Sequence, residues 1–311
     1  MTPRVSIVMA AKNYGRYLPE SVESVLAQTV PDWELQIIDD GSTDDTSAII
    51  QPYLQDSRIR YLKSDSLGQT RAKTLGFRLT AGEFVAFLDA DDAWLPSKLE
   101  KQLAVFAQQP DLGVCFTRRR LMDAESRPLP SQDAAKPPRG QILPDVFLKN
   151  FICFSTVMAR RTVLDHVGAF DAEWDLAIDY GLWLRIAPHY RFDYVDEELV
   201  KYRTGHGNLS KKLADRVAIA ESIMNRAIFR RRLQDRVPRE VIAEGYASTF
   251  RALGYTLRPS EPWQAARWYA RALRWGGPRW RDSIKGLASV GYYWLCGPRI
   301  PATPENATVN R

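Results

Sequence analysis

Cysteine and histidine are scarce: three of each occur in 311 residues, and Cys115, Cys153 and Cys296 form no CxxC pair. An odd, unspaced set excludes a disulfide framework and a structural zinc site. Each cysteine stands among apolar neighbours and reads as a packing residue in a reducing compartment. No apolar run approaches the eighteen or so residues of a membrane-spanning helix. No glycine-rich, lysine-containing phosphate loop follows the first strand signal, which argues against a nucleotidyltransferase of that design. The opening Met-Thr-Pro-Arg runs at once into Val5-Ser-Ile-Val-Met-Ala, without a basic leader or cleavage site. The expected location is the cytoplasm, at most peripheral at the inner face of the plasma membrane.

What is present is ordinary for a globular chain, 45% hydrophobic and 26% charged, but its charge is divided unevenly. Residues 1–200 hold 29 Asp and Glu against 22 Lys and Arg, whereas the remainder holds 8 against 21. A basic tail suits an anionic surface or, equally, a solvated helix face. Nucleic acid is not the expected partner, because only the overall basicity and the Trp/Arg interleaving near the end point that way.

The first hundred residues alternate between two patterns. Apolar runs at Val5–Ala10, Trp33–Asp39, Ile59–Lys63 and Phe84–Asp89 predict strands. Helical spacing in Leu18–Gln28, around Ile49, Ile50 and Leu54, and in Gly68–Thr80 predicts the intervening helices. Strands separated by helices indicate βαβ units, an α/β fold with a mostly parallel sheet whose ligand loops gather at one edge. Polar residues collect at that edge: Lys12-Asn13-Tyr14, Asp39-Asp40 and Asp89-Ala-Asp-Asp92. Clustered carboxylates at a strand end suit a hard divalent cation carrying a phosphorylated ligand. A solvated loop, or an N-cap for the helix after Asp92, satisfies the same residues.

The motifs, in their order, resemble family 2 of the inverting glycosyltransferases, over about residues 4 to 210. Ser6-Ile-Val-Met-Ala-Ala-Lys-Asn-Tyr is similar to the family's opening strand and loop. Gln28-Thr-Val-Pro-Asp-Trp-Glu-Leu with Ile38-Asp-Asp-Gly-Ser-Thr-Asp is similar to its second motif, and Phe87-Leu-Asp-Ala-Asp-Asp to its D-x-D motif. Val167-Gly-Ala-Phe-Asp, Ile178-Asp-Tyr-Gly-Leu-Trp and Tyr202-Arg-Thr-Gly-His206 follow in the family's order. The resemblance implies the GT-A nucleotide-sugar fold and an inverting transfer from a nucleotide-diphosphate sugar to a hydroxyl of a glycan or lipid-linked acceptor, of the kind used in bacterial surface polysaccharide synthesis. It implies Mg2+ or Mn2+ on Asp89 and Asp91, with His206 as a candidate ligand or diphosphate contact, and Asp179 as general base. It implies nucleotide-sugar contacts at Ala10, Ala11, Asn13, Asp39, Asp40, Gly68, Arg71, Lys73, Asp89 and Ala90, with Asp40 accepting from the nucleotide base.

The chain departs from the family in places. Ala10-Ala11 stands where Pro-Thr is usual, Lys73 where an arginine usually sits, and Ile178 where a glutamate precedes the base. Lysine keeps the charge but loses the bidentate fork; Arg71, two residues earlier, is a candidate substitute. A non-catalytic nucleotide-sugar or carbohydrate-binding protein of the same fold is the alternative these departures suggest.

Elsewhere, Gly113–Thr117 predicts an edge strand and Arg118–Arg120 a solvent-facing cluster. Pro128–Gly140, with four prolines, predicts a surface loop. Phe151–Arg160 predicts a strand, and His166 and His189 read as structural residues without partners. The expected division is a catalytic domain at 1–210, a helical basic region at 211–300 and a disordered tail at 301–311. The helix at Trp263–Trp275, with Ala265, Ala266 and Ala270 permitting close approach, is similar to one helix of a tetratricopeptide hairpin. Five of nine tryptophans lie between Trp263 and Trp294, interleaved with arginine, a composition suited to packing or oligomerisation and also to an anionic membrane surface.

Overall fold

The structure, a computed structural model, describes residues 2–130, 135–205 and 213–296. His206, the segment 131–134 inside the proline-rich loop and the tail from 301 lie outside the described residues. The described residues fall into two compact units, one from residues 2–142 and 151–205, the other from 143–150 and 213–296.

The first unit is built on one eight-stranded sheet: β1 (Val5–Ala11), β2 (Trp33–Asp39), β3 (Ile59–Lys63), β4 (Phe84–Phe87), β5 (Ala93–Trp94), β6 (Leu112–Met122), β7 (Met158–Arg160) and β8 (Arg191–Arg203). Their order is β3-β2-β1-β4-β7-β6-β8-β5. The first four are mutually parallel, and β7 pairs antiparallel with both β4 and β6. β1, β2 and β4 are unbroken runs of buried residues, apart from half-buried Ala10, as a sheet covered on both faces demands. Alternation along β1 then sorts its side chains. Val5, Ile7, Met9 and Ala11 join Leu18, Val22 and Val25 of α1 (Leu18–Leu26) and Leu99, Leu103 and Phe106 of α4 (Lys98–Gln108) in one core. Val8 and Ile38 face α3 (Gln69–Arg78), where a methyl added to Gly76 would lie 2.8 Å from Val8 Cγ1. The buried polar residues on β1 and β2 satisfy one another: Ser6 Oγ donates to Glu34 Oε1 at 2.7 Å and accepts from Gly82 N at 2.7 Å.

Several elements differ from the sequence expectation, each for a local reason. α2 (Thr46–Ile49) is a single turn, succeeded by a 3-10 turn at Gln51–Gln55 that carries Pro52. β6 is an interior strand and continues through Arg118–Arg120, because these arginines are only half exposed. Arg118 pairs with Asp196 at 3.3 Å, and Arg119 lies 4.6 Å over the Tyr202 ring. Residues 151–160 give a 3-10 turn at Phe154–Thr156 and only the short β7. His166 and His189 are neighbours with ring centroids 5.3 Å apart, and His166 Nδ1 shares a 2.8 Å hydrogen bond with Tyr190 Oη.

One lysine is enclosed in this unit without a carboxylate at hydrogen-bonding distance among the described residues. Lys98 is fully buried, donates to Gln102 Oε1 at 2.7 Å and lies 4.0 Å over the Trp94 ring. Burial pushes its pKa from 10.5 down to about 7. Between those values the unfolded chain binds more protons than the folded one, so Lys98 makes stability rise with pH across that window. Replacing Lys98 with Met should flatten that rise, by an amount on the order of a few kcal/mol. Urea denaturation at pH 7 and pH 10 tests this, and parallel profiles for the two proteins would contradict it.

The second unit is helical: α5 (Leu143–Leu148), α8 (Leu213–Asn225), α9 (Arg239–Leu257), α10 (Pro262–Trp275) and α11 (Trp280–Cys296). α10 buries Ala265, Tyr269 and Ala272, spaced by four and three residues, while Ala270 faces solvent rather than a helix partner. The Tyr269 ring fills a notch cut by two glycines: a methyl on Gly254 or Gly286 would lie 3.1 or 2.1 Å from it. Trp263 and Trp280 are 72% and 44% exposed. Among the described residues no helix is long and apolar enough to cross a membrane.

Candidate active site

The C-terminal ends of β1, β2 and β4 open onto one edge of the sheet. After β4 the chain turns through Leu88 and Asp89, and Asp92 N closes the turn on Asp89 O at 3.0 Å. Asp89 Oδ1 accepts from Lys73 Nζ at 2.7 Å; the lysine side chain is 5% exposed and the aspartate 32%. Lys73 also lies 4.0 Å over the Phe154 ring, which stacks on Phe87. Enclosure raises the Asp89 carboxyl above the ordinary carboxylate range. Lys73 opposes that shift, and the charges of Asp91 and Asp179 add to it. This electrostatic influence places Asp179, more than eighty residues away in sequence, in the neighbourhood of the acidic turn.

Asp92 is not a helix cap. It is buried, and α4 begins six residues later. Its Oδ1 accepts from Arg203 N at 2.9 Å and its Oδ2 from Ser155 Oγ at 2.5 Å, while Ser155 Oγ accepts from Asp89 N at 3.0 Å. Burial holds the Asp92 carboxyl well above its usual range, with Asp91 and Asp89 contributing. Arg203 completes the frame. Fully buried, it donates from Nε to Asp91 O at 2.8 Å, reaches Ser126 Oγ at 2.8 Å, and pairs with Glu20 of α1. Asp91 is thus held through its backbone. Tyr14 faces the same turn: burial, then Asp91, Asp89 and Asp92, push its hydroxyl far above the usual tyrosine value.

Asp179 lies in the first turn of α7 (Ile178–Ile186), where its Oδ1 accepts from Tyr180 N at 2.8 Å. Ile178, Leu182, Trp183 and Ile186 are buried and fix that helix.

The residues expected to read the nucleotide take several positions. Ala11 is buried and Ala10 half-buried at the end of β1. Asn13, at φ +58°, ties the first two loops together, accepting from Thr43 N at 2.8 Å and donating from its own N to Ser42 Oγ at 2.9 Å. Asp39 is fully buried and accepts from Ser42 N at 2.7 Å and from the Tyr61 hydroxyl. Asp40 accepts from Leu67 N at 2.5 Å and Gly68 N at 3.0 Å, with Lys12 Nζ at 3.9 Å. These backbone donors, one on each oxygen, orient the Asp40 carboxylate and leave each oxygen a further lone pair. Ala90 is buried, its carbonyl accepting from Ser21 Oγ at 2.9 Å. Arg71 is exposed and lies about 200° around α3 from Lys73, so it does not join the Lys73–Asp89 pair.

Asp89 and Asp91 offer hard oxygen donors two residues apart. Among the described residues no three His, Cys, Asp or Glu side chains form a preformed metal centre. Two carboxylates are the protein share expected for Mg2+ or Mn2+ when substrate phosphates and water supply the rest, so the residues present fit such an ion. Sequence reasoning assigned no role here to Ser155, Arg203 or Tyr14, although Tyr14 stands among the polar residues expected at this edge and Arg203 in the Tyr-Arg segment quoted for its resemblance.

The family model for glycosyl transferase family 2 matches residues 6–168, about half of the chain. The chain belongs to that family. It is 33% identical over 212 residues to an uncharacterised glycosyltransferase of Nostoc sp., covering 66% of this chain and 65% of that one. It is 30% identical to the Escherichia coli UDP-Glc:alpha-D-GlcNAc-diphosphoundecaprenol beta-1,3-glucosyltransferase WfgD, over 66% and 79% of the two chains. Over 41% of this chain and 51% of that one it is 41% identical to the putative teichuronic acid biosynthesis glycosyltransferase TuaG of Bacillus subtilis. Among solved structures, Staphylococcus aureus TarS 1–349 in complex with UDP-GlcNAc superimposes with a TM-score of 0.68 at 17% identity, over 95% and 92% of the chains. The Pyrobaculum calidifontis mannosyltransferase PcManGT with GDP-Man and Mn2+ gives 0.58 at 16%, over 95% and 88%. At such identities these two share the fold, GT-A, with this chain.

Proposed function

We propose that the protein is a metal-dependent inverting glycosyltransferase that moves a sugar from a nucleotide-diphosphate donor to a hydroxyl of a glycan or lipid-linked acceptor in bacterial surface polysaccharide synthesis. The observation that carries this reading is the charge arrangement. Asp89 pairs with the buried Lys73 ammonium at 2.7 Å, and the charges of Asp91 and Asp179 are near enough to raise Asp89. A Mg2+ or Mn2+ ion held by Asp89 and Asp91 would neutralise charge on the departing diphosphate. Lys73 would add a fixed positive charge on the same side, in a place preorganised by Phe154 and Phe87. Asp179 would take the proton of the acceptor hydroxyl as that oxygen attacks the anomeric carbon. One base and no second nucleophilic carboxylate assigned at the sugar make a single displacement, and therefore inversion. Names among the relatives, WfgD and TuaG, support the acceptor class, and the Mn2+ in PcManGT supports the ion. In the second unit, Trp280, Arg281, Ile284 and Lys285 are exposed together at the start of α11, which supports peripheral contact with an anionic membrane.

The test is to offer UDP-, GDP- and dTDP-sugars of known anomeric configuration with Mn2+ and follow the released or transferred sugar by proton NMR before mutarotation. The expected product carries the opposite configuration to its donor. A product of retained configuration would contradict the single displacement.

A further inference from the structure

The segment from Asp171 to Ala177 leads directly into Asp179, and its last residue takes φ +52° before the helix starts. Its side-chain and backbone ties run to the beginning of α3. Thr70 Oγ1 donates to the Trp174 carbonyl, Gln69 Nε2 donates to the Asp175 carbonyl, and Thr70 N donates to Asp175 Oδ1 at 3.2 Å. Thr70 is fully buried and Trp174 nearly so. Gly68, at φ +88°, leaves room for the Asp175 carboxylate: a Cβ there would lie 2.4 Å from Asp175 Oδ2 and 2.9 Å from its Cγ. On the other side of the same turn Asp40 accepts from Leu67 and Gly68 N. One helical turn further on, α3 carries Lys73, the partner of Asp89. The start of α3 is therefore the common anchor of two carboxylate-bearing loops.

We propose that Asp175 is a positioning residue for the reaction: by fastening the 171–177 segment to the first residues of α3, it fixes Asp179 relative to the Lys73–Asp89 pair. The proposal rests on the reading of Asp179 as the base. It follows that a change at the start of α3 reaches the base without passing through the sheet.

The variants Asp175→Ala, Asp175→Asn and Gly68→Ala are compared with the wild type in full-length protein. Amide hydrogen exchange without ligand is read first, then kcat and KM with the nucleotide sugar that the donor panel identifies. Asp175→Ala should speed exchange across 174–180 by about tenfold and lower kcat by about tenfold, with KM for the donor within about twofold, the scale of one lost hydrogen bond to a charged group. Asparagine keeps the oxygen that accepts from Thr70 N, so Asp175→Asn should recover most of both effects. Gly68→Ala should reproduce the faster exchange by displacing the carboxylate. Unchanged exchange and kcat in Asp175→Ala, or an asparagine variant as impaired as alanine, would overturn the proposal while leaving the base assignment standing. Undiminished turnover in Asp179→Asn would instead overturn the reading it rests on, whatever the exchange shows.

Discussion

Replacing Asp179 with asparagine should lower the rate of glycosyl transfer by roughly two to four orders of magnitude, the range that a positioned general base contributes. The expectation comes from where the carboxylate sits and from how little else the substitution disturbs. Asparagine has the same size, and its side-chain oxygen can still accept from Tyr180 N, as Asp179 Oδ1 does at 2.8 Å. The helix beneath is fixed by Ile178, Leu182, Trp183 and Ile186, none of which touches the substitution's chemistry. What disappears is a proton acceptor, and with it one of the negative charges that raise Asp89. Melting temperature and nucleotide-sugar affinity should therefore stay near their wild-type values while kcat collapses. A variant that turns over within a few-fold of wild type would remove Asp179 from the reaction.

The parallel half of the sheet is legible because its strands are continuous apolar runs: Val5–Ala11 and Phe84–Phe87 could be little else once bounded by polar loops. The antiparallel half is not. β8 carries Asp193, Asp196, Glu197 and Glu198 within thirteen residues, a composition without a strand's apolar signature. Its charges are satisfied from elsewhere in the chain, Asp196 by Arg118, Glu197 by Lys101 and Asp193 by Gln109. Asp196 and the Tyr202 ring of β8 likewise take up Arg118 and Arg119 where β6 runs on. Local pattern contains no record of partners 78 to 96 residues away.

The site divides along the same line. Asp89, Asp91 and Asp179 are singled out by motif, and the charges of Asp91 and Asp179 raise the Asp89 carboxyl. Asp92 illustrates the converse: an aspartate before Ala-Trp-Leu-Pro-Ser looks like a cap, whereas its real partners are Ser155 and Arg203, 63 and 111 residues further along. Asp40 accepts from Leu67 and Gly68 N, backbone donors that no local pattern records. A buried carboxylate and an exposed one are identical letters; only the fold says which backbone amides reach them.

The central claim is that Asp89 and Asp91 hold a cation through which the diphosphate is bound, and Asp91 tests it without removing either member of the Lys73–Asp89 pair. Arg203 holds Asp91 through its backbone carbonyl, at 2.8 Å, so Asp91→Asn leaves that anchor intact while removing the charge offered to an ion and felt by Asp89. The decisive measurement is calorimetric titration of wild type and Asp91→Asn with UDP, GDP and dTDP, each with Mn2+ and again with EDTA. For the diphosphate that the wild type prefers, Mn2+ should tighten binding by about tenfold or more, equivalent to ~1.4 kcal/mol, and Asp91→Asn should lose that gain while binding as the metal-free wild type does. Equal wild-type affinity with and without Mn2+, or a full metal response in Asp91→Asn, would contradict the account.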